Sequence, residues 1–236
     1  MSKILKLILW NPVKLIVLSL FGKNALSYLK INLLSFLSRF GYTNSQNRMD
    51  ILLYEFFKKK KGGVFLEVGG ADGIDQSNSL LLAKKYNWKG YLVEPVNSQF
   101  KLCKKFRTDS DVSRYAFVSN DFFDKNPTIV IKRDDLQSSI VAKQTNGSFE
   151  EVPTITLDKF IISKEINNID IMILDVEGFE QEVLDGYFLT EGTIKYLLVE
   201  SWNFDDFKKY ADRRNWKFIS MIGNDYLFDI SITSTL

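Results

Sequence analysis

Histidine is absent from the 236-residue chain. Its absence excludes Ser–His and Cys–His nucleophilic chemistry, histidine-based zinc sites and a histidine general base. Acid–base work must therefore fall to Asp, Glu, Lys, Tyr or water. The single cysteine, Cys103, excludes an intrachain disulfide and a cysteine metal cluster, and it implies a reducing compartment such as the cytoplasm. Four prolines, no low-complexity run and no internal repeat argue against long disordered segments. Long apolar runs are missing too. Residues 1–22, MSKILKLILWNPVKLIVLSLFG, are apolar and basic, but Lys6, Lys14 and Asn11-Pro12 interrupt them. Nothing there approaches the roughly 20 residues of a spanning helix. No small-x-small cleavage site follows, which weakens a signal-peptide reading.

What is present is unevenly distributed. Residues 1–61 hold 11 Lys/Arg and two acids, a net of +9, while residues 62–236 hold 20 basic and 27 acidic residues, a net of −7. A basic head on an acidic body suggests two surfaces with different partners. The acidic body is a poor candidate for nucleic acid, whose binding rests on phosphate neutralisation. From Ala25 to Phe40, helical spacing places Leu26, Leu29, Leu33, Phe36, Leu37 and Phe40 on one stripe, with Lys30 and Arg39 outside it. With Trp10 nearby, such a helix suits an anionic membrane surface, so peripheral membrane contact through residues 1–40 is one expectation. Packing on the body or a contact within a homo-oligomer is the other. Gly41 to Asn47 reads as a linker, dividing a helical extension, 1–47, from a domain at 48–236.

After a helix expected over Arg48 to Lys60, strands and helices alternate. Apolar runs stand at 64–68, 90–94, 112–118, 170–175 and 195–201, and two closing strands at 216–221 and 225–230 flank Gly223-Asn224. Helical patterns occupy Ser77–Tyr86, Asn97–Phe106, Leu157–Glu165, Phe179–Tyr187 and Phe204–Arg214. This alternation predicts an α/β, Rossmann-like fold, with a mostly parallel sheet flanked by helices and an antiparallel last strand. Residues 119–155 lack the rhythm and read as an insertion near the site.

Acids and glycines collect at the carboxyl ends of the expected strands, where open α/β sheets bind ligands. The first strand runs into Glu67-Val-Gly69-Gly70-Ala71-Asp72-Gly73. The second ends Glu94-Pro95, the fourth Asp175-Val-Glu177-Gly178, and the fifth Glu200-Ser201-Trp202. The glycines do not give the G-x-G-x-x-G spacing of a dinucleotide loop. Gly69 and Gly70 permit close backbone approach, and Glu94 is placed to accept hydrogen bonds from both hydroxyls of a ribose. A loop with acids in place of Lys or Arg suits a nucleoside without phosphates and with positive charge. S-adenosylmethionine has both properties.

These motifs resemble the FkbM family of S-adenosylmethionine-dependent methyltransferases over roughly residues 48–230. The resemblance is carried by FLEVGGADGIDQSNS, the WKGYLVEP block, QSSI at 137–140, TLDKF at 156–160, IDIMILDVEGFEQEVLDG at 169–186 and NDYLF at 224–228. It implies a class I methyltransferase fold with a seven-stranded sheet, and most often O-methylation of a sugar or other hydroxyl. It also implies that Glu67, Gly69, Asp72 and Gly73 form the cofactor loop, that Asn78 and Ser79 support it, that Glu94 takes the ribose, and that Asp175 lies beneath the methionine part or the acceptor. Two positions depart from the family's pattern. Gly70-Ala71 stands where Ala-Asn is common, and Ile173 where many members have Lys.

Methyl transfer to a hydroxyl is an in-line displacement in which positioning supplies much of the rate. The base candidates are Asp175, Glu177 and Glu200, with Asp175 favoured because it closes a central strand. Glu177 and Glu180 have a structural alternative, shaping the turn and capping the next helix. Two or three carboxylates together could hold Mg²⁺. Trp202, Phe204 and Phe207 follow the fifth strand, where a sugar face could stack. The expected activity is O-methylation of a glycan or glycolipid-like hydroxyl. The alternatives are a small-metabolite or protein acceptor, or a degenerate fold that only binds.

Overall fold

The computed structural model describes residues 26, 28–43, 45–133 and 148–231. The expectations for residues 1–22 and for QSSI at 137–140 lie outside the described residues. The principal sheet has seven strands: β1 (Val64–Val68), β2 (Lys89–Val93), β3 (Ser110–Ser113), β7 (Ile169–Leu174), β8 (Ile194–Val199), β9 (Lys217–Ile222) and β10 (Asp225–Asp229). Their order is β3-β2-β1-β7-β8-β10-β9. The pairs β3/β2, β2/β1, β1/β7 and β7/β8 are parallel, and β10 runs antiparallel to both β8 and β9. The last strand is therefore the antiparallel one, as expected, and it inserts between β8 and β9.

The central strands read as continuous apolar runs because both of their faces are covered. In β7, Met172 and Leu174 face one core with Leu66, Val68, Leu197 and Phe160. Ile171 and Ile173 face the other, with Phe65, Leu92, Leu198 and Trp88. Helices α6 (Leu157–Ser163) and α8 (Phe204–Arg213) contribute to the first layer, α2 (Met49–Phe56) and α3 (Leu80–Tyr86) to the second. Ile173, the family's frequent Lys position, is thus an ordinary core residue here, 2% exposed.

Three expectations change in the structure. The run 112–118 is not one strand. It divides into β3 and a two-residue β4 (Ala116–Phe117) that pairs in a second, three-stranded sheet, β4-β6-β5. At the division, Arg114 donates to the Pro95 and Glu151 carbonyls, which turns the chain from one sheet to the other. The segment 119–155 is more regular than predicted. After the short α5 (Asn120–Phe123), β5 (Thr128–Arg133) and β6 (Ser148–Ile155) form an antiparallel pair. This pair packs Ile129, Ile131 and Val152 on Val96, at the start of α4 (Asn97–Phe106). Helices are also shorter than their patterns. α2 stops at Phe56, because Lys58 and Lys59 take left-handed backbone. α3 starts only at Leu80, because Ser77, Asn78 and Ser79 bind Glu67.

Residues 28–38 are helical (α1), and α1 packs on the body through Ile31 and Leu34 against Ile74 and Leu80. The face that packs is not the stripe read from the sequence: Leu29, Leu33, Phe36 and Phe40 point outward. Among the described residues no helix is long and apolar enough to cross a membrane.

Candidate active site

Strand order reverses between β1 and β7, and ligand crevices of open α/β sheets form at such a point. Three turns meet there. Gly69 donates its N–H to the Val93 carbonyl (3.0 Å), and Asp175 donates its own to Val68 (3.1 Å). Gly69 has φ +85°, and a Cβ on it would lie 1.8 Å from the Asp175 carbonyl oxygen. Glycine at 69 is thus what lets the first and fourth turns touch. Gly73 (φ +74°) is constrained too, though less tightly, since a Cβ would meet Arg107 Cγ and Cys103 Sγ at 2.7 Å. Gly70 differs. Its closest such contact is Leu92 at 3.3 Å, so packing makes the least demand for glycine there.

Beneath the loop lies a buried ionic network. Arg107 is fully buried and donates to the Gly73 carbonyl (3.0 Å), Ser77 Oγ (3.3 Å), Ser79 Oγ (3.1 Å) and Asp109 Oδ1 (3.2 Å). Its Nη1 lies 3.7 Å from Glu67 Oε2. Glu67 also accepts from the Asn78 N–H at 3.2 Å and from the Ser77 and Ser79 hydroxyls. The carboxylate read as facing a cofactor is directed at these partners. Glu67, Asn78 and Ser79 thus form the support of the Gly69–Gly73 loop. Asn78 is fixed in turn by Ser45, whose hydroxyl donates to Asn78 Oδ1 at 2.7 Å. Sequence reasoning did not find Arg107. A lone Arg ten residues beyond Asn97, at the end of α4, carries no motif.

Glu94 is buried just past β2, with Pro95 half-exposed beside it. Its two oxygens accept from the Ala71 N–H (2.9 Å) and the Val96 N–H (2.7 Å). Burial pushes its carboxyl up to about 7 against the pull of those two N–H groups, and Glu150 and Asp72 add like-charge repulsion. Asp72 accepts from the Ile74 and Asp75 N–H groups, both at 2.8 Å, so its side chain closes its own turn. Burial raises its carboxyl as well.

The other half of the crevice is acidic. Asp175 stands at the end of β7 and Glu200 at the end of β8. Asp225 opens β10, whose Tyr226 pairs with Val199 and so brings Asp225 beside Glu200. Burial, then the charges of Glu200 and Glu177, then a hydrogen bond with Glu200 push the Asp175 carboxyl up to about 8. Burial and Glu200 push Asp225 up to about 7. Asp225 was not among the residues singled out from the sequence, although NDYLF was. Only the antiparallel insertion of β10 places it at the site. Glu177 has left-handed backbone (φ 54°), and burial followed by Glu200 and Glu180 raises its carboxyl. Glu180 opens helix α7 (Glu180–Leu184), and its carboxylate accepts from the Gly178 N–H at 2.8 Å. Trp202 is 77% exposed, and its ring edge lies 3.8 Å from where a Gly178 Cβ would stand. Phe204 and Phe207 belong to the aromatic core instead. Among the described residues no group of three or more acids is arranged to hold a metal ion.

A seven-stranded, mostly parallel sheet with one antiparallel strand, and acids at the strand ends beside its switch point, form the Rossmann-like arrangement of a class I methyltransferase. The chain belongs to the FkbM methyltransferase domain family, whose model matches residues 67–228, and it is an S-adenosylmethionine-dependent methyltransferase. Similar solved structures include TrmK of M. capricolum in complex with S-adenosyl-homocysteine, at 13% identity, 79% of this chain and 71% of that chain, with a TM-score of 0.43. A human methyltransferase 10 domain containing protein matches at 9% identity, 85% and 93% coverage, TM-score 0.48. A TehB-like methyltransferase from Corynebacterium glutamicum matches at 11%, 88% and 97%, TM-score 0.44. No curated protein matches the chain.

Proposed function

We propose that this enzyme methylates a hydroxyl oxygen of a sugar, glycan or glycolipid-like acceptor. The observation that carries the reading is the Asp175–Glu200–Asp225 group, with the carboxyls of Asp175 and Asp225 raised toward neutrality, at the carboxyl edge of the sheet in a chain without histidine. The chemistry that S-adenosylmethionine supplies when bound is an electrophilic methyl on a sulfonium sulfur, which departs as a neutral thioether.

The residues present fit that cofactor. The backbone of Gly69 to Gly73 would border it, and Glu94 would take its ribose. The cationic part would lie toward Asp175. A cation beside Asp175 favours its ionised form. Ionised Asp175 then orients the acceptor hydroxyl and takes its proton as the oxygen–methyl bond forms, with Glu200 beside it. Exposed Trp202, over the turn that follows Asp175, offers an apolar face for a sugar ring.

Radiolabelled methyl transfer into a cell extract sorted into lipid, polysaccharide and protein tests this. Label in the lipid or polysaccharide fraction supports the reading, and label confined to protein overturns it. Asp175→Asn should lower kcat by roughly 10²–10⁴-fold with the cofactor Kd changed much less. The wild-type kcat/KM should climb with pH toward about 8, where the Asp175 carboxyl ionises in the free protein.

A further inference from the structure

Helix α1 presents three rows of side chains. Ile31, Leu34 and Ser38 are buried against the body. A second row, Tyr28, Asn32, Ser35 and Arg39, borders a cleft of about 380 Å³ whose opposite wall includes Lys84 and Lys105. The third row, Leu29, Leu33, Phe36 and Phe40, faces outward, with Phe36 56% and Phe40 71% exposed and their rings paired at 5.2 Å. An outward row of four large apolar residues is more than scattered surface hydrophobicity.

The charges beside that row have one sign. The first acid in the chain is Asp50, so α1 carries none, and neither does α4 over 97–106. Lys30 pairs with Asp75, and Lys84 lies 2.6 Å from Asp109. Arg39 and Lys105 have no ion pair among the described residues, and the Lys105 ammonium rests 4.5 Å over the Tyr28 ring. Lys101 stands one turn before Lys105 on α4 and is exposed.

We propose that this α1–α4 face docks on an anionic membrane surface. The Leu29–Phe40 row enters the headgroup–acyl boundary, and Arg39, Lys101 and Lys105 meet lipid phosphates. An apolar stripe flanked by unpaired cations is the pattern of an interfacial helix. A second copy of this chain is a poorer occupant, because a two-fold contact would set these cations against themselves. Residues 1–25 are a poorer occupant for the same reason, since they contain four Lys and no acid.

The test is co-sedimentation of the full chain with phosphatidylcholine vesicles, with and without phosphatidylglycerol, at low and high salt. Binding should require phosphatidylglycerol and fall with salt. Phe36→Ser/Phe40→Ser and Arg39→Glu/Lys105→Glu should each cut vesicle partitioning by about tenfold or more, since each removes a principal anchor of interfacial binding. Both variants should keep the wild-type thermal midpoint and cofactor Kd. If either double variant melts early, Phe40→Ser alone gives the reading. Equal retention on neutral vesicles, or unchanged partitioning of the variants, overturns the proposal. So does a solution dimer that the Phe36→Ser/Phe40→Ser variant dissociates.

Discussion

Replacing Glu94 by glutamine separates stability from cofactor binding. Its carboxyl rises from 4.5 to about 7 on folding, with burial as the leading cause. A raised acid holds its proton more tightly in the folded protein. It therefore adds nothing to the cost of folding below the unfolded value, and it destabilises progressively as pH climbs through the folded value. The shift corresponds to roughly 3 kcal/mol, appearing between pH 4.5 and about pH 7. Glutamine is neutral throughout and escapes that penalty. It keeps one acceptor for the Ala71 or Val96 N–H but turns an amino group toward the other, at a cost of about 1–3 kcal/mol. At pH 5 the wild-type protein also holds a neutral group there, and Glu94→Gln should be equal to it or weaker. By pH 8 the variant should have gained about 2–3 kcal/mol relative to wild type. Urea unfolding at the two pH values measures this, and calorimetry with S-adenosylmethionine should show weaker binding at both. Stability differences that do not change with pH would refute the burial account. Unchanged cofactor affinity would remove Glu94 from the site.

Three further outcomes are expected. Arg107→Leu leaves Glu67 and Asp109 buried without their cation and should cost about 3–5 kcal/mol, seen as a drop of roughly 6–20 °C in Tm by scanning calorimetry. Gly69→Ala, with its Cβ placed 1.8 Å from the Asp175 carbonyl, should abolish soluble folded protein, whereas Gly70→Ala should fold with Tm within a few degrees of wild type. Trp202→Ala should leave Tm and cofactor Kd unchanged and raise KM for a sugar acceptor several-fold, an outcome that steady-state kinetics checks.

The fold was legible where chain and sheet share a period. The runs at 64–68, 170–175 and 195–201 sit in strands covered on both faces, so they are apolar without alternation, and each became a strand within two residues of its expected bounds. The misreadings share a cause. Residues 112–118 form one apolar run, but Arg114 spends its guanidinium on the carbonyls of Pro95 and Glu151, and no local pattern announces contacts 19 and 37 residues away. β5 and β6 were missed because only Ile129, Ile131 and Val152 face their small core. The α1 stripe was a correct period on the wrong side. Four large apolar residues at helical spacing normally mark the packed face, and here Ile31 and Leu34 suffice for packing.

The site divides the same way. Strand-end acids are visible in sequence because their position along the chain fixes their edge of the sheet. What each carboxylate faces is set by partners elsewhere. Glu67 is answered by Arg107, 40 residues away, so its charge is neutralised before any ligand arrives. Among the described residues Asp175, Glu200 and Asp225 have no such cation, and burial first, then like charges, raises the carboxyls of Asp175 and Asp225. Two acids that look alike in the chain therefore do opposite work. The paired Glu67 holds the loop still. The acids at the ends of β7 and β8 and the start of β10 have no cation partner among the described residues, so a cationic ligand there would be favoured and an anionic one disfavoured.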